Sequence, residues 1–138
     1  MKTYVLYGKP IALKRPRHTR SGITYDPQKD EKARDAILLR RQRGTAPQIE
    51  DSPIDVSLTF YMPIPKSYPK KKLKELNVHT KRPDLDNLIK YILDVAQGVL
   101  FKDDSKICSI YAEKVYDKDQ RTELTIMEIE NESEKGQF

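Results

Sequence analysis

The sequence predicts a single small α+β domain, a mainly antiparallel or mixed β-sheet packed against two principal α-helices. Two segments place apolar residues at helical spacing, and several others alternate or are rich in β-branched and aromatic residues. Nothing between them reads as an internal repeat or a low-complexity linker. A length of 138 residues suits one core, which can bury about two-thirds of the surface the unfolded chain exposes.

Taken in order, Thr3 to Tyr7 reads as a short strand, and Ile11 to Tyr25 as a basic loop or irregular hairpin turning at Gly22. After Pro27, KDEKARDAILLRRQR places Ala33, Ala36, Ile37 and Arg40 at helical spacing. Its acids come early and Arg40, Arg41 and Arg43 late, each sign suiting the helix dipole, and Gly44 ends it. Val56, Leu58, Phe60 and Met62 alternate with Asp55, Ser57, Thr59 and Tyr61, the period-two pattern of a half-buried strand. Residues 63–83 form a basic connection in which Pro63, Pro65 and Pro69 limit regular structure, with room for one helical turn around Lys71 to Leu76.

Leu88, Ile89, Ile92, Leu93, Ala96 and Val99 then recur at i, i+3 and i+4, predicting a helix from Leu85 to about Gln97 that stops at Gly98. The apolar stretch 88–99 exceeds the needs of one small sheet, so part of it is available to a partner. Ile107 to Tyr116 and Thr122 to Glu130 suggest an antiparallel hairpin around the polar turn Asp117-Lys118-Asp119-Gln120. Cys108 alternates there with Ile110 and Ala112 and reads as a small buried hydrophobe. The domain is expected over 1–130, with residues 131–138 fraying.

Composition narrows the chemistry. No apolar run approaches the ~20 residues a bilayer span requires. Lys2 is followed by no apolar stretch long enough for export, so a cytoplasmic location is expected, with no membrane partner and no small-molecule cofactor. Cys108 is the single cysteine, and His18 and His79 add too little for a Cys-rich zinc site, so any metal is held mainly by oxygen. Residues 1–83 hold 19 Lys and Arg against 8 Asp and Glu, whereas residues 84–138 hold 7 against 13. A basic half of this kind favours a nucleic-acid partner over a merely solvated surface, and an acidic half can gather carboxylates for a cation.

RPDLDNLIKYILD, residues 82–94, is the most informative segment. Pro83 favours an extended Arg82 and allows a helix start just beyond it, so Asp84 and Asp86 fall at the helix entry. Two carboxylates two residues apart in extended chain point to one side and suit a hard cation, although either alone would serve as an ordinary helix cap. Lys90 lies four residues after Asp86 and four before Asp94, sharing a polar stripe with Asn87; a plain salt-bridge ladder explains that spacing equally well. A second pair, Asp103-Asp104, precedes the strand near Ile107, and a carboxylate from there can complete a three-carboxylate cup for phosphodiester chemistry.

PDLDNLIKYILD followed by GVLFKDDSKI strongly resembles the RusA family of Holliday-junction resolvases, whose motif is a DxDN-x-x-K helix with a downstream Asp-Asp-Ser. The likeness extends to KPIALKRPR, YMPIPKSYPKKK and HTKRPD and so covers most of residues 8–112. It implies a small α+β homodimer, often encoded by prophages, that nicks four-way DNA junctions symmetrically with Mg2+, or Mn2+ in its place, in recombination and repair. It carries the metal-binding acids onto Asp84, Asp86 and Asp104 and the essential lysine onto Lys90, with Asp103 an uncertain neighbour. Phe101 stands where members of that family often have Trp.

Three carboxylates and one lysine give a formal charge of about −2, so a phosphodiester is repelled until a cation neutralises the site. Lys90 among acids keeps its proton and stabilises transition-state charge or orients the phosphate, or else simply holds Asp86 or Asp94. Asn87 can orient a carboxylate, and Asp94 can support Lys90. The expected DNA surface is Lys14, Arg15, Arg17, Lys66, Lys70, Lys71, Lys72, Lys81 and Arg82, with Arg40, Arg41 and Arg43 as an additional patch. Tyr68 either stacks on an unpaired base or is buried. Two matched nicks on a near-symmetric junction call for two catalytic centres, hence a homodimer. The rival expectations are a non-catalytic DNA binder and a nuclease for other branched nucleic acids.

Overall fold

The computed structural model of the protein describes residues 1–68 and 78–129. In chain order its elements are β1 (Lys2–Tyr7), β2 (Arg17–His18), β3 (Thr24–Tyr25), α1 (Lys29–Arg43), β4 (Ile54–Met62), α2 (Leu85–Ala96), a 3-10 turn (Asp104–Lys106), β5 (Ile107–Tyr116) and β6 (Arg121–Glu128). The helical turn expected around Lys71 to Leu76 and the tail 131–138 lie outside the described residues.

β4 earns the central position through its alternation. Ile54, Val56, Leu58, Phe60 and Met62 are essentially inaccessible, while Asp55, Ser57, Thr59 and Tyr61 on the opposite face are half-buried. The apolar face packs with Leu39 of α1 and with Leu88, Ile92, Val95 and Ala96 of α2, so both helices cover one side of the sheet. The four strands run in the order β1-β6-β4-β5, with β4 antiparallel to β6 and parallel to β5. The expected mixed sheet on two helices is therefore present, while β2 and β3 form a separate two-stranded ribbon around Gly22.

The expected β5–β6 hairpin does not form, because β4 lies between the two strands. Two strand spacings are about 10 Å, and the four residues 117–120 are long enough to cross that gap. The Asp117 amide donates to the Met62 carbonyl at 3.0 Å, fixing the link over the end of β4. Cys108 is likewise not buried. Ile107 pairs with Ile54 and Ser109 with Asp55, so Cys108 is the extra residue of a bulge and is exposed. In α1 the boundaries are those expected, but Ala33 and Ile37 face outward, and the inward residues are Gln28, Asp35 and Leu39. No helix among the described residues is long and apolar enough to cross a membrane.

Candidate active site at the entry of helix α2

The chain enters α2 through an Arg82–Pro83 cis peptide bond, and Asp84 caps the helix with its backbone extended at φ −70° and ψ 143°. The Asp84 carbonyl accepts the Leu88 amide, but its carboxylate makes no capping hydrogen bond and stays available. One turn in, Asp86 is exposed and meets Lys90 at 3.9 Å, a loose pair between two exposed side chains worth about 0.3–0.5 kcal/mol. Lys90 does not reach Asp94; that carboxylate pairs instead with Lys32 of α1 at 3.5 Å. Arg82, Pro83, Asp84 and Asn87 line an open cleft of about 390 Å³.

Cations surround this entry for structural reasons. The Leu13 amide donates to the Asn87 carbonyl at 2.9 Å, which lays the basic loop with Lys14 and Arg15 along the first turn of α2. Lys114 of β5 donates to the carbonyls of Lys81 and Pro83 at 2.7 and 2.8 Å, tying the segment before the helix to the end of that strand. Sequence reading missed Lys114; its signal is a lysine in phase with Ile110 and Ala112 on the helix-covered face of β5. Lys14, Arg15, Arg17, Lys66, Lys81 and Arg82 are all exposed, and among the described residues none pairs with a carboxylate. Lys70, Lys71 and Lys72 lie outside the described residues. Tyr68 is half-buried against Tyr116, its ring 5.8 Å away, with the Lys81 ammonium at the same distance above it. His79 packs on Tyr116 as well, and burial together with the Lys114 and Lys81 charges lowers its pKa below the ordinary value.

Asp103 and Asp104 sit elsewhere. Gly98, at φ 82°, turns the chain after α2, and its amide donates to the Phe101 carbonyl while Phe101 is fully buried. Asp103 caps the 3-10 turn, its Oδ1 accepting the Ser105 amide at 3.0 Å, and this bond first of all lowers its pKa. The Asp104 side chain adjoins Asp103 and adds to the same lowering. The Asp104 amide donates to Oε1 of Gln97, at the C-terminal end of α2. The twelve residues of α2 span about 18 Å, so within one chain Asp104 stands at the opposite end of the helix from Asp84 and Asp86. Arg40, Arg41 and Arg43 belong to that far end too, since Arg43 donates to the Val99 carbonyl.

A divalent cation seeks several carboxylate oxygens. Asp84 and Asp86 fit that demand as two exposed acids on one helix entry, Asp86 only loosely paired with Lys90. The third acid does not join them within the chain: among the described residues no three His, Cys, Asp or Glu side chains gather to hold a metal.

A family model described as endodeoxyribonuclease RusA matches residues 7–127. Of individual relatives, the uncharacterized protein YqaN of Bacillus subtilis (strain 168) is 29% identical over 135 residues, covering 91% of this chain and 95% of that protein. The crossover junction endodeoxyribonuclease rusA of Lactococcus phage r1t is 37% identical over 78 residues, 56% of each chain.

Proposed function

The chain belongs to the RusA endodeoxyribonuclease family, and from that premise we propose that it resolves four-way DNA junctions by paired symmetrical nicks. It does so as a cytoplasmic homodimer in recombination and repair, using Mg2+, with Mn2+ as a substitute, and the carboxylates of Asp84, Asp86 and Asp104. The observation that carries this reading is the helix entry, where two exposed carboxylates, Asp86 only loosely paired with Lys90, lie among cations that pair with no carboxylate among the described residues.

The cation, when bound, supplies an activated water and stabilises charge on the leaving oxygen. Asp84 and Asp86 would hold it. Lys90 beside them contributes positive charge where the scissile phosphate gains negative charge. Lys14, Arg15, Lys81 and Arg82 bring DNA strands to the site through phosphate contacts that carry no sequence information. A lysine is a mobile point charge, which suits a junction whose arms must rearrange.

A second reading, a DNA binder without catalysis, draws on the separation of Asp104 from Asp84 and Asp86 within one chain. Labelled four-way, three-way and linear DNA incubated with the protein and Mg2+ separates the readings. The resolvase nicks the four-way substrate in preference to the others. A binder retards it without nicking, and a nuclease for other branches cuts three-way DNA as fast.

A further inference from the structure

The geometry points to Lys114 of β5 as a positioning residue: its ammonium holds the peptide bond that leads into Asp84 and so sets where that carboxylate stands. This rests on the proposed role of Asp84 as a cation ligand and goes beyond it, because it names what keeps that acid in place.

A lysine offers three donors on a flexible stem, and at a protein surface it ordinarily spends them on water. Lys114 does not. It is half-buried near the end of β5, and its Nζ donates to the Lys81 carbonyl at 2.7 Å and to the Pro83 carbonyl at 2.8 Å. Among the described residues it pairs with no carboxylate, so its charge is committed to these two backbone oxygens.

Mooring this segment to the sheet does not need the side chain. The His79 amide donates to the Lys114 carbonyl at 3.0 Å, and Val78 bridges to Val115, so backbone alone fastens residues 78 and 79 to the edge of β5. What the ammonium adds is the course of the chain from Lys81 to Asp84. Peptide units are planar, so the direction of the Pro83 carbonyl fixes that of the Asp84 amide. On the other side, the Asp84 carbonyl accepts the Leu88 amide at 3.2 Å. Asp84 is thus held from both sides through its backbone, while its own carboxylate makes no capping hydrogen bond. Asp86 lies inside the first turn of α2 and takes its place from the helix. Lys114 therefore bears on the spacing of the two acids, since Asp84 alone depends on the chain ahead of α2.

The sign of the effect separates positioning from charge. A lysine acting on the site through its charge alone would repel a divalent ion, and deleting it would tighten metal binding. Losing a group that orients a metal ligand instead weakens binding, by about 10–100-fold.

Lys114→Met keeps the stem and removes the donors, and Mn2+ alone is the probe, titrated into the full chain without DNA and read by electron paramagnetic resonance. The expected result is an Mn2+ affinity lowered by about 10–100-fold. The nicking rate at saturating junction falls with it and recovers at high Mn2+, while gel retardation of the junction stays that of the wild type. Lys114→Arg, which keeps donors for both carbonyls, should restore most of the Mn2+ affinity. Equal or tighter Mn2+ binding in Lys114→Met overturns the proposal. So does junction retardation that weakens while Mn2+ affinity holds, the mark of a phosphate contact. Asp84→Asn is the reference: if it too binds Mn2+ as the wild type does, the cation-ligand assignment fails and the positioning role with it. If Asp84→Asn loses affinity and Lys114→Met does not, the positioning role alone fails. Should circular dichroism show Lys114→Met to be unfolded, Lys114→Gln, with an amide donor and no charge, takes its place. Weaker Mn2+ binding then supports the proposal, and equal or tighter binding overturns it.

Discussion

Replacing Tyr91 with Phe tests how helix α2 is held against α1. The Tyr91 hydroxyl donates to Asp35 Oδ2 at 2.6 Å, joining α2 to α1 through a carboxylate whose side chain is 8% exposed. Burial first, and then this bond, raises the Tyr91 pKa well above the ordinary tyrosine value. The phenylalanine ring keeps the packing and removes the donor. Asp35 then retains Arg34 at 3.4 Å, a poorly placed and exposed neighbour. Loss of a buried hydrogen bond to a carboxylate costs about 1.5–3 kcal/mol. At about 2.1 cal/mol/K per residue of unfolding entropy, that lowers Tm by about 5–10 °C, measured by circular dichroism. The Asp35→Asn, Tyr91→Phe double variant should lose clearly less than the sum of the single variants. A Tm within about 2 °C of the wild type for Tyr91→Phe would refute this account of the α1–α2 clamp.

Further expectations concern the site and its surroundings. Asp86→Asn should reduce junction nicking to background while junction binding, read by gel retardation, stays equal or tightens, because a negative charge next to phosphate is removed. Lys81→Ala should weaken binding to junctions of any sequence alike and make the log–log salt dependence shallower by about 0.9, measured by fluorescence anisotropy between 50 and about 200 mM salt. The lowered His79 pKa means that the unfolded imidazole takes its proton first as pH falls. His79 therefore contributes stability above about pH 6.5 that is lost on acidification toward its folded pKa, and His79→Gln should flatten the urea midpoint between pH 7.5 and about 5.5 relative to the wild type. At Gly98, φ 82° favours glycine, so Gly98→Ala should cost about 1–2 kcal/mol by urea unfolding.

What the sequence disclosed follows from which patterns are periodic. β4 and α2 were legible because their alternation and 3.6-residue spacing involve strong apolar residues such as Leu58, Phe60, Leu88 and Ile92. The ends of α1 were marked by Pro27, the late arginines and Gly44, but its buried face was hidden. Gln28 bridges Ala12 and Lys14, Lys32 bridges Asp26 and Asp94, and Asp35 accepts from Tyr91, so polar residues point inward. An apolar count then selects the wrong side. The pairing of β5 and β6 was not encoded locally, since a polar four-residue link serves a hairpin or a crossing over β4 equally well. The one-residue bulge at Cys108 has no compositional mark. For the site, the exposed acids at the α2 entry and the cations around them followed from Pro83, helix spacing and charge. The separation of Asp104 was also available, because a twelve-residue helix has a fixed length, but it becomes evident only once Gln97 is seen to hold the Asp104 amide.

The most direct test maps both nicks on a four-way junction of known sequence with Mg2+ present. The account predicts two nicks, symmetrically placed on opposing strands and lost together in Asp84→Asn. A junction retarded by the wild-type protein but left intact, or cut on one strand alone, would contradict it.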